Sequence, residues 1–443
     1  MKIPENAANI ISRLEDAGYE AYVVGGCVRD RLLGREPKDW DICTSALPEQ
    51  VKEVFSGEKI FDTGIRHGTV TLLMDDPVEI TTFRLDGEYL DSRRPESVTF
   101  TSSIEADLAR RDFTVNAMAY SPRTGFIDPF GGRADLNKGI ICAVGDPDER
   151  FREDALRILR GVRFSVSLDF EIDDNTAAAM LDCRSLLGRI SAERVREELT
   201  KTLVSGRVKP SFMRFREIIA EIIPELRPAF DFDQHTVHHA FDVYEHILTA
   251  VDSYGGSDPA IKTALLLHDI AKPAMCRFYN GSAHFKGHPA AGAKMAEEIL
   301  RRLKFDNKTR ETVEMLIRFH DVRLTGGLPQ LLKLLSLVGE EGLAQIFCVM
   351  YADQAAQSEY NREEKLALLG RGEENLRLAL DRGLCYRLKD LNVSGEDIAD
   401  LGLKGRKIRA GLNYALNGVM NGKVENEKGP LIKYMAEMAK KWE

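Results

Sequence analysis

Three groups of residues in this 443-residue chain combine types and spacings that suit chemistry. The first is Asp39 and Asp41, in the run Asp39-Trp40-Asp41-Ile42-Cys43. On an extended strand alternate side chains share a face, so both carboxylates are expected to point the same way. Two charges that close repel strongly at low dielectric, and a divalent cation is the usual reason to keep them together. Mg2+ suits such a pair, because it takes one or two carboxylates and completes its shell with substrate phosphates. The second group is Asp154 and Arg157, three apart on a helical stretch and therefore surface neighbours. A carboxylate accepts from an exocyclic amine, and a guanidinium donates to ring nitrogens or carbonyls. Cytosine and adenine present an amino donor beside a ring acceptor and match this pair; guanine and uracil mismatch both contacts. The third group is His246, the doublet His268-Asp269, His288, the doublet His320-Asp321, and Asp353. Of nine histidines only His67 lies outside residues 235–320. Imidazoles and carboxylates converging between helices would form a site for a divalent metal.

The elements that must position these groups are legible around them. The apolar run Tyr22-Val23-Val24 breaks at Gly25-Gly26 and continues into a helix carrying Arg29 and Asp30. Paired glycines let backbone approach a polyphosphate closely, and the helix start offers its amides to the charge. Strand, Gly-Gly turn, helix and two-carboxylate strand form a nucleotidyl-transfer layout. In Arg110-Arg111-Asp112-Phe113-Thr114-Val115-Asn116 the arginines suit phosphate oxygens, while Asp112 and Asn116 suit ribose hydroxyls or orient the arginines. Arg160 and Arg163 continue the stripe begun by Arg157 and suit the triphosphate or an RNA end. Periodicity predicts a helix over 4–17 and strands near 19–24, 39–44, 69–74 and 78–83, the last two forming a hairpin. Glu79 on the second hairpin strand is a candidate third carboxylate. Residues 84–97, with Arg84, Asp86, Glu88 and Arg93, are charged and poor in aliphatics, and read as a mobile loop. Helical periodicity then takes over, at 152–165, 173–183, 191–204 (with Ser191 as N-cap) and most of the remainder. The fold class is an α+β N-terminal domain with a mixed sheet, followed by an elongated all-α region.

Composition narrows the function classes. A hydrophobic content of 44% and a charged content of 30% describe an ordinary soluble chain long enough for several domains. No apolar run approaches the length of a membrane span, and the N-terminus lacks a charged-then-apolar leader, so no membrane partner is expected. Seven scattered cysteines without a CxxC pair argue for reduced thiols in the cytoplasm. The net charge of -9 excludes a chain coated in positive charge but not local binding of RNA. Residues 404–443 carry nine Lys/Arg against four Glu, and this local excess is where an RNA backbone is expected to rest.

The segments VVGGCVRDRLLGREPKDWDIC (23–43), RRDFTVNAMA (110–119), EDALRILRGVR (153–163) and SAERVREE (191–198) carry a resemblance. They closely resemble the polymerase-beta-type nucleotidyltransferases, specifically the bacterial class II tRNA CCA-adding enzymes and their poly(A) polymerase relatives. The resemblance implies Mg2+ held by Asp39 and Asp41, with tRNA, CTP and ATP as partners. It also implies a nucleotide site of Gly25, Gly26, Arg29, Arg111, Asp112, Asn116, Asp154, Arg157, Arg160 and Arg163. Asp154 and Arg157 are assigned the choice of base, and the 191–198 helix start is expected to brace the helix that recognises the nucleotide. The loop with Arg84, Asp86, Glu88 and Arg93 is expected to help switch from cytosine to adenine; members adding only CC lack it. The histidine cluster resembles the HD phosphohydrolase superfamily. That likeness implies a second divalent metal (Mg, Mn, Fe or Ni) on His246, His268, Asp269, His288, His320 and Asp353, acting on small phosphoesters at RNA ends. The implied division is a head (1–140), a neck (141–206), a body with the HD domain (207–360) and a tail (361–443). Alternatives are a poly(A) polymerase or A-only enzyme, or, from another class, an HD phosphatase or RNA-binding regulator. The sequence carries no sign of oligomeric state.

Overall fold

The structure, a computed structural model, describes residues 1–65, 68–74, 77–87, 98–237, 240–279 and 281–439, without the side chains of Thr63, Asp86 and Ala439. The chain forms two compact units, Met1–Arg227 and Pro228–Glu443.

The first unit is built on strand β1 (Ala21–Val24), four buried residues with a neighbour on each side. Its partners are β2 (Ile42–Thr44) and β8 (Ala119–Ser121), both antiparallel, with Val23 opposite Ile42 and Tyr120. The remaining strands are β3 (Lys59–Gly64), β4 (Thr69–Leu73), β5 (Pro77–Thr82) and β9 (Gly125–Ile127), in the order β3-β4-β5-β2-β1-β8-β9. The β4–β5 hairpin is antiparallel as expected, and β5 runs parallel to β2 with Ile42 opposite Ile80. A fully covered central strand accounts for the continuous apolar run that the sequence shows there. Helix α1 (Glu5–Asp16) packs on β1 and β2. It follows Pro4, carries Glu5 in its first turn and Arg13 in its last, and ends before Gly18 at φ +90°. Its buried Ala7, Ile10, Ile11 and Leu14 follow the helical period, and each large apolar residue so buried contributes about 1.5–3 kcal/mol. Helices α2 (Gly26–Leu32), α3 (Pro48–Val54), α4 (Ile104–Ala109) and α5 (Gly132–Lys138) complete the α+β part.

Two expectations change here. The strand expected over 39–44 begins only at Ile42, so Asp39 and Asp41 lie in the segment that feeds β2. The loop expected over 84–97 starts as a strand. Arg84–Asp86 (β6) pairs antiparallel with Val98–Phe100 (β7), which sets Arg84 opposite Phe100. Glu88 and Arg93 lie outside the described residues, as does the centre of the Asp75-Asp76-Pro77 turn.

Beyond the sheet, β10 (Ile140–Ile141) pairs parallel with β11 (Glu171–Ile172). Between them the helix expected over 152–165 is two helices, α6 (Pro147–Glu153) and α7 (Leu156–Leu168). The break falls at Asp154, whose φ of −138° and ψ of 100° are extended. Helices α8 (Asp174–Asp182), α9 (Ala192–Ser205), α10 (Lys209–Arg214) and α11 (Arg216–Ile222) follow, with α9 packed along α7. Ser191 precedes α9, but its side chain makes no capping hydrogen bond.

Among the described residues of the second unit the only strands are the ribbon β12 (Arg277–Tyr279) and β13 (Ser282–His284). Its helices are α12 (Val243–Ser253), α13 (Pro259–Leu267), α14 (Lys272–Met275), α15 (His288–Arg302), α16 (Asn307–Phe319), α17 (Leu328–Ala356), α18 (Arg362–Asp381), α19 (Gly395–Ala399), α20 (Arg406–Met420) and α21 (Lys428–Ala439). Contrary to the reading that no apolar run approaches a membrane span, α17 is long and apolar enough by length and composition. It is broken at Gly339 (φ 75°, ψ 177°) and packs against α12, α13, α16 and α18. All seven cysteines are free thiols.

Candidate functional site

The first candidate site gathers at the end of β1. Gly25 has φ +80°, a conformation that favours glycine, and a Cβ there would stand 2.7 Å from Arg111 Nη1, so any other residue would be strained and would displace that guanidinium. Gly26 opens α2 with no comparable crowding. From α2 the buried Arg29 donates to Asn116 Oδ1 (2.6 Å) and pairs with Asp30 (2.7 Å). Asn116 Nδ2 donates to Asp112 Oδ1 (3.0 Å), and Asp112 Oδ2 takes Arg160 Nη2 of α7 at 2.6 Å. One continuous polar chain therefore joins the glycine turn to α7. Burial alone would raise the pKa of Asp112, but Arg160 and the hydrogen bond from Asn116 hold it down at about 2. Arg29, Arg160 and Arg163 all crowd the buried Phe164 ring, at 5.2, 5.3 and 4.2 Å from its centroid. Each of the three is also paired with a carboxylate, Arg29 with Asp30, Arg160 with Asp112 and Arg163 with Glu198, so the guanidiniums gather around one ring as a braced cluster. Neither Phe164 nor Asp107 stands out in the sequence reading. Asp107 of α4 is fully buried and holds Arg110 at 2.8 Å and Arg111 at 3.5 Å. Its i,i+3 and i,i+4 spacing to those arginines is the signal that would have revealed it.

The backbone carbonyl of Asp41 accepts from Val24 N–H at 3.0 Å, which ties this carboxylate to the glycine turn. Asp41, Glu79, Arg84, Asp107, Arg110 and Arg111 line a cavity of about 150 Å³. Partial burial, then the charges of Asp39 and Glu79, raise the pKa of Asp41, and Arg111 works against them. Like charges held together under that strain are what a divalent cation relieves, so the residues fit Mg2+. Glu79 adds charge, yet no three carboxylates here converge on one point among the described residues.

Asp154 and Arg157 are positioned differently from the expected pair on one helix. Asp154 stands in the break between α6 and α7, and Arg194 of α9 grips it with Nη1 at 3.3 Å and Nη2 at 2.7 Å. Its Oδ1 also accepts from Leu156 N–H at 3.1 Å. A carboxylate offers about four lone-pair sites, so one on Oδ2 is left over. Arg157 Nη1 donates to Glu153 Oε2 (2.6 Å) and to the Arg150 carbonyl (3.2 Å), and Nη2 to the Arg110 carbonyl (2.9 Å). Of its five N–H groups this leaves Nε–H and one on Nη2. Arg163 spends its Nε on Glu198 at 2.6 Å. The bracing role expected for the 191–198 segment falls on Arg194, not on Ser191.

The second candidate site lies wholly in the second unit. His246 on α12, His268 and Asp269 after α13, His288 at the start of α15, His320 after α16 and Asp353 on α17 are all buried and adjoin one another. Each imidazole donates Nδ1–H to a backbone carbonyl: His246 to Ala356 (3.2 Å), His268 to Leu265 (2.7 Å), His288 to Phe285 (2.8 Å) and His320 to Ile317 (2.7 Å). A carbonyl only accepts, so in the neutral ring every Nε2 keeps its lone pair turned inward, the arrangement of a metal-ligating histidine. Burial alone would lower the pKa of His268, but Asp269 and Asp353 raise it to about 10. Lys272, absent from the sequence reading, reaches Asp269 Oδ2 at 2.6 Å and Gln234 Oε1 at 2.9 Å. Asp321 stays outside the donor cluster but lines, with Lys272, Lys286 and Arg323, a cavity of about 530 Å³ that opens on the centre. In the basic tail, Lys428 is tied to Asp397 at 2.6 Å, while Lys440 and Lys441 lie outside the described residues.

Comparison with known proteins follows the same division. The poly A polymerase head domain matches residues 21–142, the probable RNA and SrmB-binding site of polymerase A matches 169–230, and the HD domain matches 236–361. The CCA-adding enzyme of Lactobacillus delbrueckii subsp. bulgaricus is 35% identical over 97% of both chains. The CCA-adding enzyme of Lactobacillus helveticus is 48% identical over 51% of this chain, which spans 57% of that relative. Among solved structures, the Bacillus stearothermophilus CCA-adding enzyme in complex with CTP is 30% identical with a TM-score of 0.74, covering 100% of this chain and 99% of that one.

Proposed function

We infer that this chain, which belongs to the family of CCA-adding enzymes, adds C, C and A to the 3′ end of tRNA from CTP and ATP without a nucleic-acid template. The observation that carries this reading is that Asp154 keeps one acceptor site and Arg157 two donors unspent, on residues three apart at the start of α7. An exocyclic amine and a ring acceptor, shared by cytosine and adenine, satisfy both. Uracil and guanine would set a carbonyl against the carboxylate and an N–H against the guanidinium, leaving polar groups unpaired at a cost of about 1–3 kcal/mol each. Protein side chains thus replace a template base.

The division of labour proposed is a head (1–140), a neck (141–206), a body (207–360) and a tail (361–443), the basic tail resting on the tRNA backbone. Asp39 and Asp41 hold Mg2+, which when bound activates the RNA 3′-hydroxyl and neutralises charge on the phosphates. Gly25 keeps the backbone low so that the triphosphate lies against Arg111, whose buried Nε has no hydrogen-bond partner among the described residues. Arg29, Arg160 and Arg163, gathered around Phe164, supply donors to the phosphates, while Asn116 and Asp112 fix the first two of these arginines. The test is Asp39→Ala and Asp41→Ala: both are expected to lose nucleotide addition and keep their thermal midpoint. Substantial Mg2+-dependent incorporation by either variant would rule out the assigned site.

The histidine centre favours a second activity, hydrolysis of small phosphoesters at RNA ends with a divalent metal. Its cavity, lined by Lys272, Lys286 and Arg323, suits an anionic substrate. Hydrolysis of 2′,3′-cyclic nucleotides with Mg, Mn, Ni or Co should vanish in His268→Ala/Asp269→Ala, while nucleotide addition persists. Hydrolysis absent with every metal, or unchanged in that variant, would leave the centre structural.

A further inference from the structure

We propose that a second, apolar cavity beside the histidine centre seats the base of a nucleotide whose phosphate lies in the cationic cavity. The substrate class is then a nucleoside phosphate, preferred over phosphoesters that carry no base. This rests on the hydrolase reading above and deepens it. The second cavity measures about 470 Å³ and lies between the α16–α17 connection, the end of α17 and the start of α18. That volume is within the range of small-molecule sites. His320, Asp321, Arg323, Asp353 and Gln357 line both this cavity and the cationic one of about 530 Å³, so the two adjoin. A molecule with a charged end and a flat, mostly apolar end spans such a pair.

The walls that the cavities do not share differ in chemistry. Lys272 and Lys286 line only the first, where a phosphate would sit. Val322, Leu324, Met350, Leu368 and Leu369 line only the second, and such side chains cover the faces of a base. A few polar groups enter among them. Gln357 Nε2 donates to Asp353 Oδ2 at 2.8 Å, and Lys365 Nζ donates to Gln357 Oε1 at 2.6 Å. A polar chain therefore runs from the histidine centre to α18. An ammonium has three N–H groups, so Lys365 keeps donors for a ring nitrogen, a base carbonyl or a ribose hydroxyl.

Two further observations point the same way. Arg362 at the start of α18 donates Nη2 to the carbonyls of Gln357 (2.7 Å) and Ala355 (3.3 Å) at the end of α17. With the Lys365–Gln357 bond, this pins the two helices beside the cavity. Interiors leave few voids larger than a water molecule, so leucine walls held apart by polar ties suit a flat apolar guest. The HD match ends at residue 361, and Lys365, Leu368 and Leu369 lie beyond it. One wall is thus supplied by a helix outside that domain, and base selection is added to the hydrolytic centre from α18. A free nucleotide and the last nucleotide of an RNA offer the same base and phosphate to these walls.

The experiment compares kcat/KM of the full-length protein, with Mg, Mn, Ni and Co, for three secondary phosphomonoesters. These are adenosine 2′-monophosphate, an oligoribonucleotide with the same 2′-phosphate at its 3′ end, and glycerol 2-phosphate, which has no base. Burying the base should favour adenosine 2′-monophosphate over glycerol 2-phosphate by about 10- to 100-fold. The same preference with the oligoribonucleotide marks an RNA end as a source, and its restriction to the mononucleotide marks a free nucleotide; either supports the cavity. Leu368→Trp and Leu324→Trp, at half-buried positions on separate segments, should each remove most of that preference, mainly through KM. Calorimetry of adenosine 2′-monophosphate with chelator-treated protein reads binding without hydrolysis, and both variants should weaken it about 10-fold or more. Equal kcat/KM with and without a base in the wild type, which needs no variant, would overturn the cavity and leave the hydrolase reading standing. So would selectivity and binding unchanged in both folded variants. Hydrolysis absent with every metal, with nucleotide binding still lost in the variants, would overturn the hydrolase reading and leave the base cavity standing.

Discussion

Replacing Arg194 by alanine isolates the feature that most separates the proposed base-reading site from a simple helix pair. Arg194 supplies two of the three hydrogen bonds to the Asp154 carboxylate and fixes which lone pair remains for a base. With the arginine gone, Asp154 keeps only the Leu156 N–H and can turn any oxygen outward. A hydrogen bond from a neutral donor to a charged group is worth about 1.5–3 kcal/mol, which bounds what a correctly aimed Asp154 contributes to discrimination. Arg194→Ala should therefore lower the ratio of kcat/KM for CTP over UTP by about 10- to 100-fold. The fold should feel it less. The two side chains are 27% and 17% exposed, and a partly solvated ion pair contributes about 1 kcal/mol or less. The assay is single-turnover addition to tRNA lacking its CCA end, with each nucleotide separately, beside a thermal melt. Arg194→Lys keeps the charge without the fork and should fall between wild type and Arg194→Ala. Unchanged selectivity in Arg194→Ala, with selectivity lost in Asp154→Ala, would refute the bracing role. An equal loss with every nucleotide and a large drop in melting temperature would mark Arg194 as structural only.

Gly25→Ala sets a Cβ 2.7 Å from Arg111 Nη1 at a φ of +80°, so stability should fall by about 1–2 kcal/mol and KM for both nucleotides should rise, as denaturant melts and steady-state kinetics would show. The depressed pKa of Asp112 makes a stability contribution that is fully present above the unfolded carboxylate pKa and lost as pH falls through the folded value of about 2. The shift corresponds to about 2 kcal/mol, so Asp112→Asn should flatten the loss of stability between about pH 4 and pH 2 relative to wild type, measured by melts across that range.

How far the sequence revealed these sites depends on how local each interaction is. Gly25, Gly26, Asp39 and Asp41 are read from a single strand-turn-helix segment, and the structure brings the turn and Asp41 together through one backbone hydrogen bond. Asp154 and Arg157 carry the right chemistry, but the helix break at Asp154 is hidden because charged residues fit a helix surface and a helix end equally well. Its partner Arg194 lies 40 residues on, a separation that spacing rules for one helix do not reach. The six donors of the second site are evident as residue types. Their convergence depends on how α12, α13, α15, α16 and α17 pack, which no local pattern encodes. Lys272 is hidden for the same reason, since a lysine at a helix start usually reads as a solvated charge. The Gly339 break in α17 was equally hidden, a lone glycine between Val338 and Glu340 being compatible with a continuous helix.

The most direct test of the central claim offers purified protein a tRNA that lacks its CCA end, with Mg2+ and with CTP, ATP, UTP and GTP separately and then CTP and ATP together. The account expects two cytidines from CTP alone, a full CCA end that stops after one adenosine from CTP with ATP, and little addition from UTP or GTP. A long adenosine tail from ATP alone, or equal use of all four nucleotides, would contradict it.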